Sequence, residues 1–165
     1  MSRRCMLLLS CALFLSTIAG CSKPKPFDPC SLLSDTEAKG FDSTIYVSKS
    51  FPPEGEGAKK NHLCMYYNSN GEPRLMVFVW TDSKTDPLEA TKAGMIEGDS
   101  KVVEVSGLGD KAAAGFTAGE LKLLAARGKK GMVGIRAREP IAQGDARFED
   151  AKALVAKLLG RLDGR

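Results

Sequence analysis

The chain has 165 residues, with 24 Lys+Arg against 20 Asp+Glu and a single His, room for one ordinary domain. At 43% hydrophobic and 27% charged it has the composition of a folded globular protein, which excludes a disordered tail and a transmembrane bundle. One His excludes most His-based metal sites and weakens any Ser-His-Asp reading.

The first twenty residues read as a leader. Arg3 and Arg4 form a short basic start, and Cys5 to Ile18 is an apolar run broken only by Ser10, Ser16 and Thr17. The run is about 14 residues long, short of the roughly 20 that span a bilayer as a helix, which is the pattern of a secretory signal peptide. It ends in Ile18-Ala19-Gly20-Cys21. Small residues before the cut let the extended segment enter a narrow peptidase groove, and the Cys after it offers a thiol for a thioether to diacylglycerol. This segment resembles the lipobox of bacterial lipoproteins, Leu-Ala/Ser-Gly/Ala-Cys, with Ile18 where Leu is commonest. The resemblance covers residues 1–22 and implies cleavage before Cys21, lipidation of its sulfur and acylation of its new amino group. Two or three acyl chains anchor stably where one is marginal. It further implies a cell-envelope location. In a Gram-negative host Ser22 directs such proteins to the outer membrane, facing the periplasm; otherwise the site is the outer face of the cytoplasmic membrane.

Three domain units follow: a signal peptide at 1–20, a lipidated Pro-rich tether at 21–29, and a single domain at 30–165. The tether, Ser22-Lys23-Pro24-Lys25-Pro26-Phe27-Asp28-Pro29, favours extended polyproline II. Of the five cysteines, Cys5 and Cys11 leave with the leader and Cys21 carries lipid. Cys30 and Cys64 remain as one pair in an oxidising compartment, where disulfides persist. The alternative for them is a zinc site with His62, which secretion disfavours. Losing Arg3 and Arg4 leaves 22 basic residues against 20 acidic ones, too balanced for nucleic-acid binding.

Along the domain, Ser34 and Glu37 have capping-box spacing for a short helix, and Gly40 suits its end. Thr44 to Ser50 and His62 to Asn68 read as strands, separated by a Pro/Gly loop over 52–57. Asn68-Ser69-Asn70-Gly71 is a turn, and Leu75 to Trp80, the most apolar run of the domain, a central strand. Asp86 and Pro87 open a helix running to about Ile96. Strands follow at Lys101 to Val105 and Ala112 to Phe116, around a tight turn at Gly107 and Gly109. Glu120 to Ala126 and Met132 to Arg138 form a hairpin about Arg127-Gly128-Lys129-Lys130-Gly131. The last helix, capped by Asp145, carries Phe148, Ala151, Leu154, Val155, Leu158, Leu159 and Leu162 at helical spacing. The expected fold class is α+β: an antiparallel sheet of five to seven strands, with the C-terminal amphipathic helix and one or two shorter helices packed on it. One covered face is expected, helices on both faces being the alternative.

The segments Asp28-Pro29-Cys30-Ser31-Leu32-Leu33-Ser34, Glu37-Ala38, Cys64-x-Tyr66 and Val105-Ser106-Gly107-Leu108-Gly109-Asp110-x-Ala112 resemble small bacterial envelope lipoproteins of unassigned function. That resemblance implies a Cys30–Cys64 bond and an α+β sandwich, and it brings no catalytic residue. The same pattern resembles extracellular sensor domains of bacterial kinases, which implies ligand or partner binding. No nucleophile elbow, zinc helix or phosphate loop is present, and Gly107-x-Gly109 alone is better explained as a turn. A non-enzymatic envelope protein that binds a protein or small ligand is therefore expected, with no cofactor and no metal; the alternatives are an immunity or inhibitor lipoprotein and a structural accessory of an envelope machine. The candidate partner-binding residues are Arg127, Lys129 and Lys130 at the hairpin tip, with Arg136 and Arg138 two apart on one face of the next strand. Tyr46, Tyr66, Tyr67 and Trp80 are candidates for lining a groove.

Cys21→Ala is expected to leave an uncleaved, unlipidated precursor. Labelling with an alkyne fatty acid checks it: label on the wild type only is expected, and equal label on both would refute the lipobox reading.

Overall fold

Local chemistry starts each helix of the computed structural model, which describes residues 27–51, 61–81, 84–94 and 100–165. The leader, Cys21, most of the tether, the 52–57 loop and the expected end of the second helix at Ile96 lie outside the described residues. Pro29–Leu32 forms a 3-10 turn whose start is held by the Asp28 carboxylate accepting from the Cys30 N–H. Helix α1 spans Asp35–Phe41 and carries the full capping box: Ser34 Oγ accepts from the Glu37 N–H, and Glu37 accepts from the Ser34 N–H. It runs one residue past Gly40 and ends at Asp42. Helix α2 spans Pro87–Ala93, capped by Asp86 with Pro87 in the first turn. Helix α3 spans Ala146–Asp163, capped by Asp145, and buries the same seven apolar residues that its spacing singles out.

The strands are β1 (Ile45–Phe51), β2 (Asn61–Asn68), β3 (Pro73–Trp80), β4 (Ser100–Glu104), β5 (Lys111–Thr117), β6 (Glu120–Arg127) and β7 (Met132–Ala137). They form one antiparallel seven-stranded sheet in the order β1-β2-β3-β7-β6-β5-β4. The fold class is thus α+β, as the sequence pattern indicates. The β3-to-β4 connection through α2 sends β4 to the far edge, and the chain then winds back through β5 and β6 until β7 pairs with β3.

Alternation along the strands separates two faces. One face presents Cys64, Tyr66, Leu75, Val77, Val79, Leu124, Ala126, Val133 and Ile135, and it packs with α3, α1 and the 3-10 turn into a single core. The other face presents Leu63, Met65, Met76, Phe78, Trp80, Leu123 and Ala125, and α2 lies over its β4–β6 part. Helices therefore occupy both faces, the second of the two expected arrangements. The reason is in α2 itself: it buries only Pro87 and Thr91, too small an apolar stripe to compete for the face that α3 covers.

The N-terminal segment is fastened to the core face by three contacts. Cys30 and Cys64 form a disulfide, with their Cα atoms 5.1 Å apart. Tyr66, fully buried, donates its hydroxyl to the Leu33 carbonyl at 2.7 Å, and burial pushes its ionisation up. The Arg161 guanidinium of α3 donates to the Leu32 carbonyl and grips both oxygens of Glu37 at 2.6 and 2.7 Å. Arg161 first, then Lys157 and the Ser34 N–H, holds the Glu37 carboxyl far below the usual carboxylate range. A second ionic knot joins the other end of α1: Arg74 bonds Asp42 at 2.9 Å and also reaches Glu139, which Arg147 shares. Burial raises the Asp42 carboxyl, but Thr44 and Arg74 outweigh it and leave the group below its ordinary value.

Because Glu37 has a depressed folded-state pKa, its contribution to stability is present above the unfolded value near 4.3 and is lost as pH falls through the lower folded value. Glu37→Gln keeps the capping-box geometry and removes the charge. The variant is expected to melt a few degrees below wild type at pH 7, with the gap closing below about pH 4. Thermal melts across pH 2.5–7.5 check this; a gap that does not change with pH would refute it.

Candidate binding face

The half of the sheet that α2 leaves uncovered is built from β1, β2, β3 and β7. No described helix packs on its outer side. Reading the register across it, Lys49, Met65, Met76 and Arg136 stand in one row, and Phe51, Leu63, Phe78 and Gly134 in the next. Leu63, Met65, Tyr67, Met76, Phe78 and Trp80 are half-buried, and Val47 is 45% exposed. Tyr67 donates to the Met65 sulfur at 3.4 Å, and Phe78 and Trp80 stack at 5.8 Å. These four strands contain no Asp or Glu; their charged residues are Lys49, Arg74 and Arg136.

At the boundary with α2 the face deepens into a pocket of about 150 Å³, lined by Phe78, Trp80, Ala90, Gly94, Lys122, Leu123 and Arg136. Trp80 reaches this boundary because β7 has a glycine where it crosses: a Cβ on Gly134 would stand 3.1 Å from the indole and 3.2 Å from Leu123 Cδ1. Lys122 is engaged by Glu120 at 3.0 Å. The Arg136 guanidinium has no ion pair or hydrogen bond among the described residues, and it is exposed at the pocket rim. The pocket thus joins an apolar floor to an unpaired, delocalised cation with five donors.

The five basic residues singled out from the sequence do not form one patch. Arg136 belongs to this pocket. Arg138 follows β7 at the sheet margin, its N–H bonded to the Arg74 carbonyl. Arg127, Lys129 and Lys130 lie at the other end of the β6–β7 ladder, where Arg127 pairs with Met132. Four residues of strand between Met132 and Arg136 amount to about 13 Å. The hairpin tip is also not a free projection. Asp163, the last residue of α3, accepts from the Lys129 and Lys130 N–H groups at 3.2 and 2.9 Å. Gly128 makes room for it, since a Cβ there would meet the carboxylate at 2.4 Å. Sequence reasoning missed Asp163; its partner set joins residues 33 and 34 positions apart, and no local pattern announces it.

The other candidates sort by face. Tyr66 is core, Tyr67 and Trp80 belong to the open face, and Tyr46 is 65% exposed beside a bulge in β1. His62 is not solvent-facing: it is half-buried, edge-on to Phe27 at 4.7 Å, and burial lowers its pKa. Cys30 and Cys64 are bonded to each other and so are not zinc ligands. Gly109 has φ 62°, and a Cβ there would lie 2.4 Å from the Arg127 carbonyl. The Gly107–Gly109 turn is therefore packed against the end of β6 as structure. No family model, curated protein or solved structure matches the chain. No helix among the described residues is long and apolar enough to cross a membrane.

Gly134→Val should push the indole off β7 and fill the strip between Trp80 and Leu123. The expected result is a red-shifted emission from Trp80, the only Trp, with far-UV circular dichroism unchanged and a loss of about 1–3 kcal/mol. An unshifted spectrum would contradict the placement of the indole.

Proposed function

We propose that this is a lipid-anchored protein of the bacterial cell envelope whose domain works by binding, without catalysis, an acidic amphipathic segment of a protein partner on the open β1-β2-β3-β7 face. The observation that carries the reading is the pairing of that acid-free apolar face with the unpaired Arg136 at its pocket. Association buries apolar area best where anchors such as Trp and Arg already stand in a preformed site. A pocket of about 150 Å³ takes one large side chain, while Arg136 would receive a carboxylate bordering it and Lys49, three strands across the face, a second one.

The anchoring half of the proposal rests on Ile18-Ala19-Gly20-Cys21 and is supported by the Cys30–Cys64 bond, which suits an oxidising compartment. Methionine is well suited to such a face, because its unbranched, polarisable side chain adapts to varied partners, and Met65 and Met76 sit in its central row.

Site-specific photocrosslinking in envelopes tests it. A photoreactive residue at Met76 should give discrete adducts, and one at Ala156 on the exposed side of α3 should not. Arg136→Glu should reduce the Met76 adduct about tenfold or more while leaving the melting temperature within a few degrees, as expected of an exposed site. Adducts equally abundant from both positions, or indifferent to Arg136→Glu, would count against the reading.

A further inference from the structure

The hairpin cations and the root of the tether come together at one end of the molecule. The described chain starts at Phe27, whose ring lies edge-on to His62, the second residue of β2. The guanidinium of Arg165 covers the same ring at 5.0 Å and bonds the Ser31 hydroxyl. Two residues earlier, Asp163 holds the backbone of Lys129 and Lys130. A short series of contacts, Phe27 to Arg165 to Asp163 to the hairpin, thus seats the tether root beside Lys129 and Lys130. Arg127, at the base of the hairpin, is on the same end of the sheet.

The side chains of Arg127, Lys129 and Lys130 have no acidic partner among the described residues, and Lys129 and Lys130 are exposed. Of the acids at this end, Asp163 accepts from the hairpin N–H groups, Asp28 from the Cys30 N–H, and Glu37 from Arg161 and Lys157, while Asp110, whose N–H bonds the Arg127 carbonyl, is exposed beside the base of the hairpin. Cys21 precedes Phe27 by six residues, which an extended chain spans in at most about 20 Å. Whatever holds Cys21 therefore holds this end of the domain within that reach, while the Asn68–Gly71 turn lies at the opposite end of the sheet.

We propose that the end formed by Arg127, Lys129, Lys130 and Arg165 is a docking surface for anionic phospholipid headgroups, which turns the domain so that the hairpin faces the bilayer and the open sheet face stands to the side. This rests on the reading of Cys21 as the lipidated residue. A polybasic cluster beside an acyl anchor is attracted to an anionic leaflet, and the attraction decays within a Debye length. Pinning by Asp163 keeps the lysine backbone in place, so little order is lost when the ammonium groups meet phosphates.

The test uses the full lipidated protein in vesicles. After maturation its remaining cysteines are lipidated or disulfide-bonded, so a single added thiol is labelled cleanly. A fluorophore is placed at Asn61→Cys, on the tether end, or at Asn70→Cys, in the far turn; both sites are exposed, and β2 separates them by about 23 Å. Quenching by a nitroxide carried on the lipid headgroup is then read in vesicles with and without 30% phosphatidylglycerol. The expected result is quenching at 61 exceeding that at 70 by about twofold or more in anionic vesicles, with the excess falling in phosphatidylcholine alone, in 0.5 M salt, and in the Lys129→Gln, Lys130→Gln double variant. Equal quenching at the two sites would overturn the proposal, as would an excess indifferent to headgroup charge and to the double variant, since the tether alone would then set the orientation. Failure of the protein to float with vesicles at all would refute the anchor itself, an outcome read separately from the quenching.

Discussion

The fastening of a four-residue 3-10 turn to the core face of the sheet is the constraint on which the rest of the molecule depends. A turn of that length has no stability of its own. It is held by the Cys30–Cys64 bond, by the Tyr66 hydroxyl on the Leu33 carbonyl and by Arg161 on the Leu32 carbonyl. On the chain-entropy view, closing a loop of about 35 residues is worth about 3.8 kcal/mol. The same fastening fixes where the segment before Cys30 joins the domain, seats α1 against β1, and gives Arg161 and Glu37 their common position. Cys64 and Tyr66 are two apart on β2 and so face the same way, which lets one strand supply both the covalent and the hydrogen-bonded part of the attachment.

The sheet then divides its labour by face. The inner face buries large aliphatic groups under α3. The outer face is covered by α2 over β4, β5 and β6 only, where the strands present small residues such as Ala113, Gly115 and Ala125. Beyond β7 the side chains enlarge to Phe78, Met76, Met65 and Leu63, too bulky and too far from a seven-residue helix to be covered by it. Gly134 marks the change: its missing side chain lets Trp80 bridge from β3 toward α2 and form the pocket wall. The four strands of the open half-face carry cations and no carboxylates, so its electrostatics and its apolar surface fit the same class of partner in the binding role proposed for it.

Much of this was legible in the sequence because the signals are local. Ser34 and Glu37, Asp86 and Pro87, and Asp145 announced three helix starts, since capping involves groups three residues apart or fewer. The seven strands were readable from alternation and from the turn residues between them, and the buried stripe of α3 from its spacing. The cysteine pair could be inferred by elimination. The candidate site was only partly legible. Five basic residues close in sequence were candidates together, yet a hairpin separates tip from strand by its own length, and Arg136 and Lys130 lie at different ends of the β6–β7 ladder.

The sequence by itself determined where the helices and strands lie and which face of each is apolar, because each of these depends on neighbours within a turn or two of chain. The tertiary structure alone decided that α2 lies opposite α3, that β7 rather than β4 pairs with β3, that half of one face stays uncovered by any described helix, and that Asp163 ties the hairpin back to the end of α3. Those arrangements follow from contacts between residues dozens of positions apart, where the area buried and the room left by Gly128 and Gly134 settle what local propensity leaves undetermined.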